Sequence, residues 1–278
     1  MGDPRGIGPE VVRKALRQPL DADVRIVGGW EESGSSTPTD IEAGRIAAQN
    51  IEAAARLALS GDVEAIITGP VNKSALHAAG YRYPGVTEFL AHVAGDIPVA
   101  MMLTTGRLRV VLVTTHLSLR EAIASVTTDR IVAAGRIATT ALQQWWGISE
   151  PRLALCALNP HAGEGGLFGD EDDRLLQPAA AALGAAGPLP ADTVFVRALR
   201  GEFDAVLAPY HDVGMTAVKV SGFGTGVNVT LGLPFIRTSP DHGTAFDIAG
   251  KGVADPGSMR ASLELAVQLA NWGRGTGD

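Results

Sequence analysis

Residues 205–212 read Ala-Val-Leu-Ala-Pro-Tyr-His-Asp, an apolar run that ends abruptly on polar and titratable side chains. Short apolar runs without alternation are typical of strands that are buried on both faces of a sheet. The same kind of junction, from apolar run to polar loop, follows the runs at residues 64–68, 108–114 and 153–157. Because active groups of α/β proteins follow the carboxyl ends of parallel strands, this pattern predicts a site at one edge of a parallel sheet.

Alanine-rich stretches with helical spacing lie between the apolar runs. They cover residues 41–59, 129–145, 175–183 and 258–272, and one more apolar run lies at residues 23–27. Strands that alternate with helices predict an α/β fold with a mostly parallel sheet covered on both faces.

Composition excludes several classes of protein. The chain has 278 residues, 46% of them hydrophobic, and a formal net charge of −7, which excludes a disordered or collagen-like chain and argues against nucleic acid as a partner. Cys156 is the only cysteine, so no disulfide framework is expected. No apolar stretch approaches the length of a membrane span, and we predict a cytoplasmic protein without a membrane partner.

Three histidines, His116, His161 and His211, each follow an apolar run in the same way. Neutral imidazole is a common ligand of zinc and other transition metals, and three protein ligands leave one coordination position open for a substrate. Loop histidines with ordinary hydrogen bonds remain an equal alternative on this evidence. His242 is a fourth candidate, whereas His77 and His92 lie in helical stretches and are expected to be structural.

The stretch Asn159-Pro-His-Ala-Gly-Glu-Gly-Gly-Leu-Phe-Gly-Asp170 combines glycine, amide and acid in one loop. Glycines let a backbone approach a ligand closely, although a plain surface loop would have a similar composition. We predict that Asn159, Gly163 and Glu164 contact a cofactor. The glycines of residues 222–226 do not match G-x-G-x-x-G and precede an apolar run, so they do not predict a Rossmann dinucleotide site.

Lys219, Asn228 and Arg237 are polar residues with apolar neighbours in the sequence. A charged group in such surroundings needs a partner or a ligand, and both lysine and arginine suit carboxylate or phosphate.

Several long strings, taken together, resemble the 4-hydroxythreonine-4-phosphate dehydrogenase family of vitamin B6 biosynthesis. They begin at Gly2-Asp-Pro-Arg-Gly-Ile-Gly-Pro-Glu10 and Gly69-Pro-Val-Asn-Lys73, and include Thr115-His-Leu117, Asn159 to Asp170, Tyr210-His-Asp-Val-Gly214, Gly226 to Arg237 and Asp241-His-Gly-Thr-Ala-Phe-Asp247. The resemblance implies an isocitrate/isopropylmalate dehydrogenase-like fold in which residues 1–278 form one compact unit of two α/β lobes around a cleft. It also implies a homodimer with a shared active site.

The same resemblance implies roles for the candidate residues. His116, His161 and His211 would bind a divalent metal (Zn, Mg or Co), and Thr87, Lys219, Asn228 and Arg237 would contact the substrate. NAD or NADP would take a hydride from a secondary alcohol β to a carboxylate, as in 4-phosphohydroxy-L-threonine, and the β-keto acid would lose carbon dioxide. We add Asp212, beside His211, as a candidate proton-transfer residue, with Lys219 or a metal-bound water as alternatives.

Two positions depart from the family pattern. Val86 stands where the family has a histidine that contacts substrate, and Val213 stands where it has glutamine. Both changes make the site more apolar, so other branches of the family, which act on erythronate- or threonate-type phosphates or on the cis-dihydrodiol of terephthalate, are alternatives.

Functions of other classes also fit part of the pattern. Three histidines around an open metal position suit a metal-dependent hydrolase or lyase as well, and a non-catalytic homologue that binds a small anion is a third possibility.

Two further expectations concern the first 40 residues of the chain. Relatives usually have a β-strand before the loop at residues 2–8. We expect that this first strand is missing before Met1, which would leave a gap in the sheet beside that loop. The loop at residues 31–40 is also expected to be shorter than in relatives.

Overall fold

The computed structural model describes residues 1–28 and 37–273, so most of the predicted short loop at residues 31–40 lies outside the described residues. The elements in chain order are α1 (Gly8–Ala15), α2 (Asp40–Leu59), β1 (Ala65–Ile67), α3 (Lys73–Ala78), α4 (Val86–Val93), β2 (Ala100–Thr105), β3 (Leu108–Leu112), α5 (Leu119–Ser125), α6 (Thr128–Trp146), β4 (Leu153–Cys156), α7 (Gln177–Leu183), β5 (Ala186–Leu189), α8 (Ala191–Leu199), β6 (Ala205–Ala208), α9 (His211–Ser221), β7 (Val227–Leu231), β8 (Ile236–Pro240) and α10 (Gly257–Gly273). A 3₁₀ turn (Pro160–Gly163) and a π turn (Asp172–Leu176) lie between β4 and α7.

The chain divides into two compact units. Unit 1 contains Met1–Pro98 and Val227–Asp278, and unit 2 contains Val99–Gly226. The prediction that both line one cleft stays a prediction.

The described residues of unit 1 contain three strands in the order β1-β8-β7, with β1 parallel and β7 antiparallel to β8. Helices α1 and α10 contribute buried apolar side chains to its core, among them Val11, Met259 and Leu263. Beside the end strand β1 lies a groove of about 800 Å³, lined by Met1 and Gly2 and by side chains of α2 and α10. The expected gap in the sheet beside the loop at residues 2–8 stays a prediction.

Unit 2 contains five strands in the order β2-β3-β6-β4-β5. Only β2 runs antiparallel to its neighbour, β3, and the other pairs are parallel. Their apolar side chains, such as Val110, Ala154 and Val206, join one buried core with side chains of α8 and α9. Because β3, β6 and β4 are neighbours, the loops that carry His116, His211 and His161 leave the same edge of this sheet.

The mostly parallel α/β prediction is confirmed. The apolar runs at residues 64–68, 108–114, 153–157 and 205–208 form β1, β3, β4 and β6, and the four helical stretches form α2, α6, α7 and α10. The predicted strand at residues 23–27 is wrong, since these residues form no strand and leave Val24 and Ile26 43% and 51% exposed. Apolar residues form a strand only where a neighbouring strand pairs with them, and here that ladder is missing.

No helix in the described parts of the chain is both long enough and apolar enough to cross a membrane.

Candidate active site

His116 and His211 lie close together beyond the carboxyl ends of β3 and β6. The two chains stay paired after the strands end, because the amide of Val113 donates to the carbonyl of Ala208 at 2.9 Å. The buried hydroxyl of Thr114 then donates to the carbonyl of Pro209 at 2.8 Å. Each histidine follows two residues later, and their ring centroids are 5.5 Å apart. The structure thus brings together two of the three predicted metal ligands.

Asp212 fixes the orientation of the His211 ring. Its Oδ1 lies 2.7 Å from His211 Nδ1, which leaves Nε2 as the ring nitrogen for another partner. A carboxylate on one nitrogen and a metal on the other is the usual arrangement of a metal-binding histidine. The chemistry of this pair therefore fits a divalent transition metal.

His161 follows β4, the other neighbour of β6, at the start of the 3₁₀ turn. Its ring centroid lies 6.3 Å from that of Phe168. Among residues 1–28 and 37–273 there is no group of three His, Cys, Asp or Glu side chains close enough to hold an ion. His161 is thus on the adjacent loop, but a complete three-ligand group is not formed in this structure.

The glycines in the loop after His161 differ in the space beside their Cα atoms. Apart from the adjacent residues, no atom of the described chain lies within 4 Å of where a side chain would start at Gly165 or Gly166, so the space beside the backbone is open there. At Gly163, in contrast, a Cβ would lie 2.9 Å from the carbonyl oxygen of Gly169. Asn159 uses its amide within the loop, donating to Glu171 Oε2 at 2.8 Å. The cofactor roles of Asn159, Gly163 and Glu164 stay predictions.

Arg237 is a buried guanidinium in unit 1 that is surrounded by hydroxyls. It lies on β8 with 4% exposure, and its Nε and Nη2 donate to Thr68 Oγ1 at 3.2 and 2.6 Å. Nη1 donates to Thr230 Oγ1 at 3.0 Å. In the described part of the chain no carboxylate forms an ion pair with it. Burial lowers its pKa to about 10, against the opposing charge of Glu88, so it stays protonated at neutral pH.

A buried cation without a carboxylate partner is costly, and an anionic ligand would compensate it. Two further predicted substrate residues are near the same group. Thr87, at the start of α4, has its Oγ1 3.3 Å from Thr230 Oγ1. Asn228 lies two residues before Thr230 on β7, so both side chains point to the same face of the strand.

Two buried side-chain atoms, Asn228 Oδ1 and His242 Nε2, have no hydrogen-bond partner within residues 1–28 and 37–273. Buried polar atoms are normally paired, so an unpaired acceptor on the face of β7 that carries Thr230 is a place for a ligand donor. Thr87, Asn228 and Arg237 therefore form one polar cluster in unit 1.

Lys219 lies on α9 in unit 2, two helical turns after His211, with its Nζ 5.7 Å from the ring centroid of Phe223. Val213 lies on the same helix and packs against the core of unit 2. Val86 is the first residue of α4, directly before Thr87.

The sequence interpretation missed four residues that hold the candidates in place: Thr68, Thr114, Thr230 and Asp172. Only the position of each threonine at or just beyond a strand end could have indicated its role, and Asp172 had no local signal.

The fold is that of the β-decarboxylating dehydrogenases. A member from Thermococcus kodakarensis superimposes with a TM-score of 0.56 at 18% identity, covering 98% of this chain and 82% of its own, a likeness that concerns the fold alone. A 4-hydroxythreonine-4-phosphate dehydrogenase from Klebsiella pneumoniae is much more similar, with a TM-score of 0.84 and 39% identity over 97% of this chain and 98% of its own. A terephthalate 1,2-cis-dihydrodiol dehydrogenase from Burkholderia xenovorans has a TM-score of 0.66 and 30% identity over 96% of both chains.

The chain belongs to the family described as pyridoxal phosphate biosynthetic protein PdxA, whose model matches residues 14–266. It is 44% identical to the 4-hydroxythreonine-4-phosphate dehydrogenase of Beijerinckia indica, covering 97% of this chain and 93% of the relative. It is 42% identical to the D-threonate 4-phosphate dehydrogenase of Salmonella typhimurium, covering 97% of each. The resemblance noted from the motifs is confirmed, and the chain is an oxidoreductase of this family.

Proposed function

We propose that this protein is a metal-dependent dehydrogenase that oxidises a secondary alcohol β to a carboxylate in a phosphorylated four-carbon hydroxy acid, with loss of carbon dioxide. The observation that carries the proposal is the buried guanidinium of Arg237, which has hydroxyl partners but no carboxylate partner among residues 1–28 and 37–273. Such a group suits the phosphate or carboxylate of a substrate, because planar guanidinium donors match both anions.

The residues of unit 1 bind the anionic substrate. Arg237 supplies charge, and the hydroxyls of Thr68 and Thr230 hold the guanidinium in one orientation. Asn228 Oδ1, a buried acceptor, would accept a hydrogen bond from a hydroxyl or ammonium group of the substrate. Fixed groups of this kind reduce the entropic cost of bringing the alcohol carbon into a reactive position.

The residues of unit 2 suit the chemical step. His116 and His211, with His161 as third ligand, would hold a divalent ion, which when bound polarises the alcohol and stabilises the negative charge that develops on oxygen. Asp212 keeps the His211 ring in orientation through Nδ1. Asp212 is also the residue that accepts the hydroxyl proton in this proposal, with Lys219 on the same helix as the alternative acceptor.

NAD or NADP, bound by the loop that contains Asn159, Gly163 and Glu164, would be the hydride acceptor. Open space beside Gly165 and Gly166 supports this placement. The homodimer implied by the resemblance and the cytoplasmic location predicted from the composition are part of the same proposal.

Two substrates are supported by the relatives, since 4-hydroxythreonine-4-phosphate and D-threonate 4-phosphate dehydrogenases are almost equally similar to this chain. Val86, next to Thr87, cannot make the polar contact of the histidine that the family has at this position. This difference by itself favours neither substrate.

The test is reduction of NAD and NADP by the purified protein with each phosphorylated acid in turn and with the unphosphorylated terephthalate dihydrodiol. Each assay is repeated after chelation of divalent metal. We expect turnover of at least one phosphorylated acid, lost on chelation and restored by added metal. Turnover of the dihydrodiol alone, or turnover that survives chelation, would contradict the proposal.

A further inference from the structure

Asp172 is a fully buried carboxylate that anchors the beginning of the loop carrying His161. Its Oδ1 accepts the amide hydrogen of Leu158 at 2.8 Å, and its Oδ2 accepts that of Asn159 at 2.9 Å. No arginine, lysine or histidine of the described chain forms an ion pair with it. A buried carboxylate is tolerated when N–H donors satisfy it, so these two amides and this carboxylate depend on each other.

The loop that begins there has an unusual backbone. His161, Ala162 and Glu164 have φ angles of 52°, 56° and 44°, the left-handed region that side chains disfavour. Such a conformation persists only where the surroundings impose it. The two backbone amides that donate to Asp172 belong to Leu158 and Asn159, directly before this segment.

A second anchor lies on the neighbouring acid. Glu171 Oε2 accepts the side-chain amide of Asn159 at 2.8 Å. Asp172 itself begins a π turn, Asp172–Leu176, a local widening of the helix that is frequent at functional sites. The two adjacent acids thus hold one residue, Asn159, by its backbone and by its side chain, two positions before His161.

We infer that Asp172 is a positioning residue that places His161 for metal binding, with Glu171 as a weaker second support. The inference rests on the proposed function, in which His161 is a metal ligand. Its role is to keep the loop in the conformation that presents the His161 imidazole.

The first test is the affinity of the full-length protein for Co²⁺, measured by calorimetric titration and by the visible absorption of the bound ion. Asp172→Asn keeps the shape of the side chain, but its NH₂ group cannot accept an amide hydrogen. We expect Co²⁺ affinity to fall about 10- to 100-fold, the usual effect of losing a residue that supports a ligand. Asp173→Asn, the same change at the exposed neighbouring residue, serves as the matched control and should leave the affinity unchanged.

The second test asks whether the effect of Asp172 on metal affinity depends on His161. His161→Ala and the double variant His161→Ala/Asp172→Asn should bind Co²⁺ equally weakly, because Asp172 acts through His161. If His161→Ala binds as tightly as the parent, His161 is not a ligand and the inference falls with that part of the proposed function. If His161→Ala weakens binding and Asp172→Asn does not, or if the two losses add, only the inference is overturned.

Circular dichroism and thermal unfolding establish that each variant is folded. Should Asp172→Asn fail to fold, Glu171→Ala decides the question, because it removes only the acceptor of the Asn159 side-chain amide. We expect a smaller loss of Co²⁺ affinity that disappears in the His161→Ala background. Unchanged affinity in Glu171→Ala would overturn the inference in that case.

Discussion

At the scale of single residues, Arg237 and Cys156 show opposite uses of burial. Arg237 is a buried charged group in unit 1 that donates three hydrogen bonds to the hydroxyls of Thr68 and Thr230, whereas Cys156 is a neutral thiol with 0% exposure in the core of unit 2. The guanidinium of Arg237 is therefore suited to binding an anion, whereas the thiol of Cys156 contributes only packing to the core. Each has a consequence that can be measured.

Arg237→Met should separate binding from stability. We expect kcat/KM to fall about 10- to 150-fold, corresponding to about 1.5–3 kcal/mol for a hydrogen bond to a charged group. The free energy of unfolding should stay equal or rise, because a buried charge without a counter-ion is replaced by an apolar chain of similar length.

Arg109→Met is the matched control for this variant. Burial also lowers the pKa of Arg109, but its guanidinium donates to the Asp204 carbonyl and lies 5.4 Å from the Trp146 ring centroid. Steady-state kinetics and urea unfolding of both variants measure the two effects. An equal loss of kcat/KM in both would show that Arg237 has no special role in binding.

Cys156 predicts a dependence of stability on alkaline pH. Burial, with the charge of Asp172 as a second cause, raises the pKa of this thiol to about 12 from its ordinary value of 9.0. Between these values the unfolded chain loses the thiol proton while the folded chain keeps it, so stability decreases as the pH rises above 9. Urea unfolding at pH 8 and pH 10 should show a steeper loss for the parent than for Cys156→Ala. Parallel losses would show that the thiol does not contribute.

At the scale of elements, strand order decides which loops meet. The parallel neighbours β3, β6 and β4 send three loops from one edge, and the hydrogen bonds of Val113 and Thr114 extend the pairing of the first two loops. The packing of helices likewise depends on single close contacts, such as that of Gly44 in α2 with Ala75 in α3.

Gly44→Ala should destabilise the contact between α2 and α3. An added Cβ would overlap the backbone carbonyl of Ala75, which cannot rotate away. We expect a loss of about 1–3 kcal/mol in the free energy of unfolding, the usual cost of overpacking, despite the better helix propensity of alanine.

Gly135→Ala in α6 is the comparison for this prediction. Its Cβ would meet only the end of the Leu183 side chain, which has rotamers available. Urea unfolding should therefore show a smaller loss, or none. A loss as large as that of Gly44→Ala would mean that the backbone contact is not the cause.

At the scale of the whole molecule, the candidate groups are divided between the two units. Unit 1 contains the anion-binding cluster around Arg237, and unit 2 contains the paired imidazoles of His116 and His211. Binding of an anionic substrate should therefore raise the thermal stability of the protein, and this increase should depend on Arg237.

Thermal unfolding with and without the phosphorylated substrate tests this dependence. A ligand at about 100 times its Kd stabilises the folded state by about 2.7 kcal/mol, which corresponds to a rise of several degrees in Tm. We expect the rise for the parent and for Arg109→Met, and no rise for Arg237→Met at the same concentration. A rise in Arg237→Met equal to that of the parent would place the anion elsewhere.

Much of the architecture followed from the sequence by itself. Apolar runs that stop at polar loops predicted β1, β3, β4 and β6, and the long motifs predicted the family. These features are local, because burial on both faces and helical spacing appear directly in the order of residues.

The tertiary structure alone decided which groups meet. The strand at residues 23–27 did not form for lack of a paired neighbour, and the two partners of Arg237 came from the end of β1 and from β7. Asp172 lies 14 residues from Leu158, yet it holds the amide of that residue. Contacts of this kind depend on how the chain folds back on itself, and no local pattern of residue types records them.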